Sequence, residues 1–543
     1  MTYPSSRRVW PAATRCCARL AALTIAVTGA GVVDAATATA RSETTPLVRT
    51  DNGVVRGAAV SGDYHFLGLP YAAPPIANLR WRRPHLPAPW RGVRDATQFA
   101  PSCPQPVSVS VPPGPQSEDC LYLNVYTPTL RSNAKRPVLV WIHGGGFTED
   151  GARNYDGSKL AADGAVVVTI NYRLGALGFL AHPALAHRPG GPTGNYGLMD
   201  QIAALRWVRE NIAQFGGDPH NVTIAGQSSG GLSVLALLVS QRSRGLFQRA
   251  IVQSGAFALK QQPLADAEVA GEAFAAQAGC PDQTAECLRR LPVSALLSSF
   301  PHDAIPGVID GSILTQSIGT ALADGQFAHV PVLNGVNQIE ELIFVAGKHV
   351  AVSGGSFVQI PDEPIGPDNY QSDIAAVLGV SAERAEAIAA QYPLAAYPTA
   401  NVAFSFVVSD ANFACPALQV DRWTSAYAQT FGYEFDDANA PERFAPIPGA
   451  THSSEIQYIF DQPNTPLPGG FTPDQQTLAA SMQSAWANFA ASGDPSTAAL
   501  PWPSFGDGEQ VMSLIPPQPQ LEAGFADTHH CSFWADATAA GPQ

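Results

Sequence analysis

The chain has 543 residues, of which 45% are hydrophobic and 14% charged, with 48 glycines and 47 prolines. This composition is typical of a compact, loop-rich globular protein and excludes a disordered chain or a coiled coil. The formal net charge of −14 disfavours nucleic acid as a partner, because its phosphate backbone would be repelled.

The first forty residues predict an export signal over residues 1–40. Arginines up to Arg19 precede an apolar stretch from Leu20 to Val33, and the small residues Ala36-Thr37-Ala38 or Ala38-Thr39-Ala40 offer a cleavage site. The apolar stretch is too short to span a bilayer comfortably, so a membrane anchor is the weaker interpretation. We therefore expect a secreted or periplasmic/extracellular protein without a stable membrane anchor.

Short apolar, β-branched segments alternate with helical patterns along the rest of the chain. The predicted strands, in chain order, are 137–143, 165–171, 221–225, 248–253, 330–336 and 431–435. Helical spacing of apolar residues covers 197–215, and it recurs over 266–298 with a break at 279–283. Strands separated by helices predict an α/β fold, with a mostly parallel central sheet and helices on both faces. Without repeats or an interdomain linker, we predict one domain over 41–543 that carries large insertions.

Six cysteines follow the predicted leader. An even number in an exported chain indicates disulfides, although sequence alone leaves their connectivity open. Proximity along the chain favours Cys103 with Cys120 and Cys280 with Cys287, which leaves Cys415 with Cys531. No pair combines C-x-x-C spacing with a nearby histidine, so we predict no metal site.

One pentapeptide, Gly226-Gln227-Ser228-Ser229-Gly230, fits the G-x-S-x-G pattern between a predicted strand and the helical segment 232–239. Such a sharp strand-to-helix turn strains the central residue and presents its hydroxyl at the carboxyl end of the sheet. The pattern therefore predicts Ser228 as a nucleophile and indicates an α/β-hydrolase fold. The alternative is an ordinary turn rich in glycine and serine.

A serine hydroxyl needs a base, and in this fold the chain order is serine, acid, histidine. His452 lies in a loop after a predicted strand, whereas His529 lies beside a predicted disulfide, which favours a structural role. Glu340 and Glu341 follow another predicted strand. One of these carboxylates would orient the imidazole, and the residues alone leave the choice between them open.

A glycine run, His143-Gly144-Gly145-Gly146-Phe147, follows the first predicted strand. Glycines let the backbone approach a substrate and turn N–H groups toward it. The run therefore predicts an oxyanion hole of the H-G-G-G type, with the N–H of Ser229 as a further donor.

These motifs make the sequence resemble the type-B carboxylesterase/cholinesterase family from about residue 68 to residue 534. The resemblance is carried by five further blocks: Gly68-Leu69-Pro70-Tyr71 with Leu79-Arg80-Trp81, Ser117 to Val125, Asn171-Tyr172-Arg173-Leu174, Gly194 to Gln201, and Phe215-Gly216-Gly217-Asp218-Pro219.

The resemblance implies a role for each matching residue. It makes Ser228 the nucleophile, His452 the base and Glu340, rather than Glu341, the acid, because the family acid comes five residues after the glycine that stands here as Gly335. The other implied positions are Gly145, Gly146 and Ser229 as oxyanion donors, Ser254 as a supporting residue, Arg80 with Glu118 as a structural ion pair, and the disulfide pairing given above. We also expect Gln227, which precedes the nucleophile, to be a supporting residue.

Two departures from the family pattern bear on the substrate. Gln227 and Ser229 stand where the family usually has glutamate and alanine, and the loop from Cys103 to Cys120 lacks the aromatic residue with which cholinesterases hold a quaternary ammonium. Both departures argue against choline esters. We therefore expect a small-molecule, neutral acyl ester as the substrate, and no cofactor. The alternatives are a lipase-like, amide or thioester hydrolase of the same fold, or a non-catalytic adhesion-type member.

Overall fold

The computed structural model describes residues 45–107, 114–188, 190–300, 307–347, 350–353, 356–359, 365–441, 449–464, 470–506, 508–522 and 524–539. The predicted leader and its cleavage sites lie outside the described residues. The extent of the domain from residue 41 onward stays a prediction.

Strands occur along the whole of the described chain. Their bounds are β1 Leu47–Thr50, β2 Gly53–Arg56, β3 Ala58–Val60, β4 Asp63–Pro70, β5 Val93–Asp95, β6 Tyr122–Thr127, β7 Arg136–Ile142, β8 Val166–Ile170, β9 Gly217–Gln227, β10 Arg249–Gln253, β11 Gln262–Pro263, β12 Val308–Ile309, β13 Val332–Asn337, β14 Val350–Ser353, β15 Ser356–Gln359, β16 Thr430–Phe435, β17 Val511–Leu514 and β18 Gln520–Glu522.

Helices fill most of the connections. Their bounds are α1 Ser158–Ala162, α2 Gly175–Phe179, α3 Tyr196–Asn211, α4 Ser229–Val239, α5 Leu264–Gln277, α6 Ala285–Arg290, α7 Val293–Ser299, α8 Ile318–Ala323, α9 Leu342–Gly347, α10 Tyr370–Leu378, α11 Ala382–Gln391, α12 Ala400–Ser409, α13 Cys415–Ser425, α14 Ile456–Ile459, α15 Pro473–Ser492, α16 Phe525–Thr528 and α17 Cys531–Ala539. A π-helical turn, Asp410–Ala414, joins α12 to α13.

The main sheet has eleven strands within the described residues, in the order β18-β17-β16-β13-β10-β9-β7-β8-β6-β4-β3. The pairs from β8 through β7, β9, β10, β13 and β16 to β17 are parallel, while the pairs toward both edges are antiparallel. The predicted mostly parallel sheet is therefore confirmed. Its parallel strands end at one edge, where β7, β9 and β13 lead into the glycine run, Ser228 and Glu340.

Helices cover both faces of the sheet, as predicted. The alternation along β7 shows why: Val138, Val140 and Ile142 enter one core, while Leu139 and Trp141 enter the other. Successive side chains of a strand point to opposite faces, so a strand that is apolar throughout must be buried on both. Apolar residues of α3 and α4 pack in the first core, and those of α15 pack in the second.

The predicted insertions lie in two of the crossovers. The connection from β10 to β13 carries α5, α6 and α7, whose apolar residues join a small separate core, and the connection from β13 to β16 carries α10, α11 and α12, which form another. All three predicted disulfides are present: Cys103–Cys120, Cys280–Cys287 and Cys415–Cys531.

The predicted pair of Arg80 and Glu118 is present as a two-pronged ion pair. Its N–O distances are 2.6 and 2.7 Å.

None of the helices in the described part of the chain combines the length and apolarity needed to cross a bilayer.

Candidate active site

Ser228 occupies a strained turn between the last residue of β9 and the first residue of α4. Its backbone has φ 56° and ψ −126°, outside the regions that non-glycine residues normally adopt. The turn is tight, since a β-carbon at Gly226 would lie 2.5 Å from the Gly230 backbone, and one at Gly230 would lie 2.0 Å from the Ile142 carbonyl oxygen. The Ser228 N–H donates to the Gln253 carbonyl at 2.8 Å, which fixes the turn to β10.

His452, in a turn just before α14, and Glu340, three residues after β13, form a buried pair. His452 Nδ1 lies 2.6 Å from Glu340 Oε2, and the Glu340 carboxylate also accepts the Asn337 N–H at 2.7 Å. Burial lowers the pKa of His452, but the charge and hydrogen bond of Glu340 outweigh it and hold that pKa above its ordinary value. Glu340 is therefore the carboxylate that contacts the imidazole, while the backbone N–H of the neighbouring Glu341 donates to Ser409 Oγ.

The second imidazole nitrogen has an unexpected neighbour. Within the described chain, His452 Nε2 contacts the Gln227 carboxamide, with Nε2 atoms 3.3 Å apart, and no hydrogen bond joins it to Ser228 Oγ. In enzymes without bound substrate, a hydrogen bond between a nucleophile and its base is often long or absent.

The glycine run forms a loop facing the start of α4. Gly145 and Gly146 have φ of 87° and 58°, and a β-carbon at Gly145 would lie 2.3 Å from the Glu149 carbonyl oxygen. The N–H groups of these two glycines donate to no other described residue. Ser229 stands at the first position of α4, where helix N–H groups lack intrahelical acceptors. Free N–H groups from the loop and the helix are therefore available to an anion.

The chain shows close similarity to known proteins over most of its length. The model of the carboxylesterase family matches residues 44–534. Acylcarnitine hydrolase of Mus musculus is 35% identical over 506 residues, covering 87% of this chain and 88% of that protein. Cocaine esterase of Homo sapiens is 35% identical over 530 residues, covering 91% of each chain.

Structure comparison agrees. A solved structure titled PNB esterase superimposes with a TM-score of 0.76 at 31% identity, covering 90% of this chain and 99% of that one. The chain belongs to the carboxylesterase family. It is a carboxylesterase with the α/β-hydrolase fold, as the sequence predicted.

A second buried carboxylate in this carboxylesterase escaped the sequence analysis. Glu455 is fully buried and accepts hydrogen bonds from Asn337 Nδ2 at 2.7 Å and Gln253 Nε2 at 3.0 Å. Burial, followed by the nearby charge of Glu340, raises the pKa of Glu455 to about 7. Asn337 thus links both carboxylates. In the sequence, the one available signal for Glu455 was its position three residues after His452.

Two phenylalanines pack on the carboxylesterase's His452 ring and were also missed. Phe344 of α9 and Phe413 of the π-helical turn lie 5.3 and 5.4 Å from it, centroid to centroid. Phe344 is 46% exposed, so it forms a solvent-accessible apolar surface beside the imidazole. The helical spacing of residues after Glu340 could have indicated a helix that contains Phe344. It could not have indicated which face of that helix packs on His452.

The hydroxyl groups of Ser229 and Ser254, two residues of the predicted site, differ in their hydrogen bonding. Ser229 Oγ accepts the Phe147 N–H at 3.2 Å, so this hydroxyl fastens the glycine loop to α4. Ser254 is fully buried with φ 49°, and its N–H donates to the Gly335 carbonyl, but its Oγ has no partner among the described residues. Its supporting role stays a prediction.

Proposed function

We propose that this carboxylesterase hydrolyses neutral acyl esters through an acyl-enzyme, with Ser228 as nucleophile, His452 as base and Glu340 as acid. The observation that carries the proposal is the 2.6 Å contact between His452 Nδ1 and Glu340, buried beside the strained turn that presents Ser228. A serine with an adjacent base that is itself oriented by a third group is the arrangement such catalysis requires.

In the first step, Ser228 Oγ attacks the ester carbonyl carbon as His452 Nε2 takes its proton. The Glu340 carboxylate holds Nδ1–H and stabilises the imidazolium that results. The tetrahedral intermediate collapses, His452 returns the proton to the leaving alcohol oxygen, and the acyl group stays on Ser228. Water then attacks the acyl-enzyme by the same proton transfers and releases the acid.

The developing oxyanion would be stabilised by the N–H groups of Gly145, Gly146 and Ser229. Removing one such donor typically costs about 3 kcal/mol of transition-state stabilisation. The Ser229 Oγ bond to Phe147 N–H supports this role, because it keeps the glycine loop and the first turn of α4 together.

Neutral esters are favoured by what surrounds the imidazole. Gln227 brings a neutral amide next to His452 in place of a carboxylate, and Phe344 adds an apolar wall. The names of the relatives, acylcarnitine hydrolase and cocaine esterase, support ester hydrolysis as the reaction class.

The three disulfides support a site of action outside the reducing cytosol.

The decisive experiment measures hydrolysis of p-nitrophenyl esters from acetate to palmitate. We expect wild-type turnover, and a decrease in kcat of at least about 10³-fold in Ser228→Ala, because the nucleophile is lost. Ser372→Ala, which removes an exposed hydroxyl on α10, is the matched control and should behave as wild type. Near-normal turnover by Ser228→Ala would refute the assignment.

Labelling with a serine-reactive fluorophosphonate separates the enzyme from a non-catalytic member of the fold. We expect one covalent adduct, located by mass spectrometry on the peptide that contains Ser228. A folded protein that neither reacts with the probe nor turns over esters would contradict the proposal.

A further inference from the structure

Gln227 stands directly before Ser228, where the family usually has a glutamate. The residue is 3% exposed, and its Nε2 lies 3.3 Å from His452 Nε2. Gly144 leaves the space for this carboxamide, since a β-carbon there would lie 3.0 Å from Gln227 Oε1. A neutral amide thus lies against the imidazole nitrogen that must also accept the proton of Ser228.

The contact with Glu340 decides the direction of this hydrogen bond. His452 Nδ1 must carry a hydrogen to donate to the Glu340 carboxylate at 2.6 Å, so the neutral imidazole has its lone pair on Nε2. The Gln227 carboxamide N–H therefore donates and His452 Nε2 accepts. With the carboxamide in this orientation, a protonated Nε2 would lose the bond, because two N–H groups would then face each other; the amide would have to turn and present Oε1 to restore it.

The other groups around the imidazole act in the opposite sense. Among the described residues, the charged groups that act on His452 are Glu340, Glu455 and Glu341, and each of them favours the imidazolium. The elements packed on the ring contribute the apolar Phe344 and Phe413. The acidic residue on the same π-helical turn as Phe413, Asp410, is hydrogen-bonded to His529 and Tyr392 instead.

We propose that Gln227 is a positioning residue whose carboxamide N–H holds the Nε2 lone pair of His452 between turnovers, keeping the imidazole neutral and aligned until the Ser228 hydroxyl takes its place. This inference rests on the proposed role of His452 as the base. A carboxylate at position 227 would instead accept from Nε2–H and favour the imidazolium, which cannot take a proton from Ser228.

The test compares wild type with Gln227→Glu and Gln227→Met, the latter keeping side-chain length without the N–H donor. All three are prepared in the Ser228→Ala background, and the titration of His452 is followed by ¹⁵N NMR of labelled histidine, with the signal assigned by its loss in His452→Gln. In Gln227→Glu we expect the pKa of His452 to rise by about one unit or more, because an opposite charge comes within hydrogen-bond distance. Gln227→Met should give a smaller rise.

Activity supplies a second readout, with Ser228 restored. In Gln227→Glu, the acid limb of the pH profile of kcat/KM should move to higher pH by the same amount as the pKa of His452 measured by NMR. The value of kcat/KM at the high-pH plateau should stay the same. A uniform fall at every pH with an unmoved limb would assign Gln227 a merely structural role and overturn the inference. Gln457→Met is the matched control, because it removes a buried carboxamide that bonds to the Pro441 carbonyl, and it should leave the limb in place.

The NMR titration does not depend on turnover. An identical pKa of His452 in all three proteins would overturn the inference even if ester hydrolysis is intact. A shifted pKa in a protein without esterase activity would support it while contradicting the proposed function. If Gln227→Glu does not fold, Gln227→Met alone decides the outcome.

Discussion

Two buried histidines of this carboxylesterase, His452 and His529, make very different use of the same side chain. His452 has one carboxylate, Glu340, at Nδ1 and a neutral amide at Nε2. His529 has a carboxylate at each nitrogen: Asp410 at 2.6 Å from Nδ1 and Glu434 at 2.9 Å from Nε2.

The difference separates the proposed base, His452, from His529, which acts as a clamp that holds Asp410 and Glu434 together. Burial lowers the pKa of His529, but Glu434 and Asp410 outweigh it and raise that pKa well above the ordinary value. An imidazole that donates from both nitrogens has no lone pair to offer and can only hold its partners together. It joins the π-helical turn and β16 to the chain just before α17, next to the Cys415–Cys531 disulfide.

Breaking the carboxylate contact of the proposed base should have the largest effect. In Glu340→Gln, an amide can no longer select the Nδ1–H tautomer or stabilise the imidazolium, so we expect kcat to fall by about 10³–10⁴-fold. The melting temperature should change little by comparison. The measurement is p-nitrophenyl ester turnover beside circular dichroism, with Glu341→Gln as the control that keeps wild-type kcat. Equal losses in both variants would count against the assignment of Glu340.

Removing the clamp should act on stability instead. His529→Gln leaves Asp410 and Glu434 buried without their cation, which typically costs about 3–5 kcal/mol of unfolding free energy. The kcat of the folded fraction should stay within a few-fold of wild type. Thermal and denaturant unfolding test this against His220→Gln, a change at an exposed residue. If His529→Gln were as stable as the control, the clamp would be an incorrect interpretation.

The clamp should also make the stability of the folded protein depend on pH. We expect this effect to be smaller than those of Glu340→Gln and His529→Gln. Its folded-state pKa is raised, so His529 contributes stability that is fully present below an unfolded pKa of about 6.5 and lost as pH rises through the folded value. Burial and Glu434 raise the pKa of Glu522 to about 8, which has the same sign. We therefore expect the melting temperature to fall from pH 6 to pH 9, and to fall less in Glu522→Gln. A flat or rising profile would contradict this expectation.

Local sequence was enough to predict the elements that carry the site, and less exact about their ends. The strand predicted at 221–225 runs from Gly217 to Gln227, because Gly217 pairs with Arg136 on β7 across a register shift that no local pattern reveals. The helix predicted over 197–215 is α-helical to Asn211 and continues as a 3₁₀ turn to Phe215.

The sequence by itself determined the strand–serine–helix turn and the glycine run, and it predicted the order of serine, acid and histidine, because each depends on neighbouring residues or on a family motif. Only the tertiary structure decided that Gln227 meets His452, 225 residues away, and that Asn337 links Glu455 to Glu340. The physical reason is register: β10 pairs Gln253 with both Gln227 and Gly335, which brings the ends of β9 and β13 to one level of the sheet. Such pairing depends on the packing of the whole sheet, so a single stretch of sequence cannot specify it.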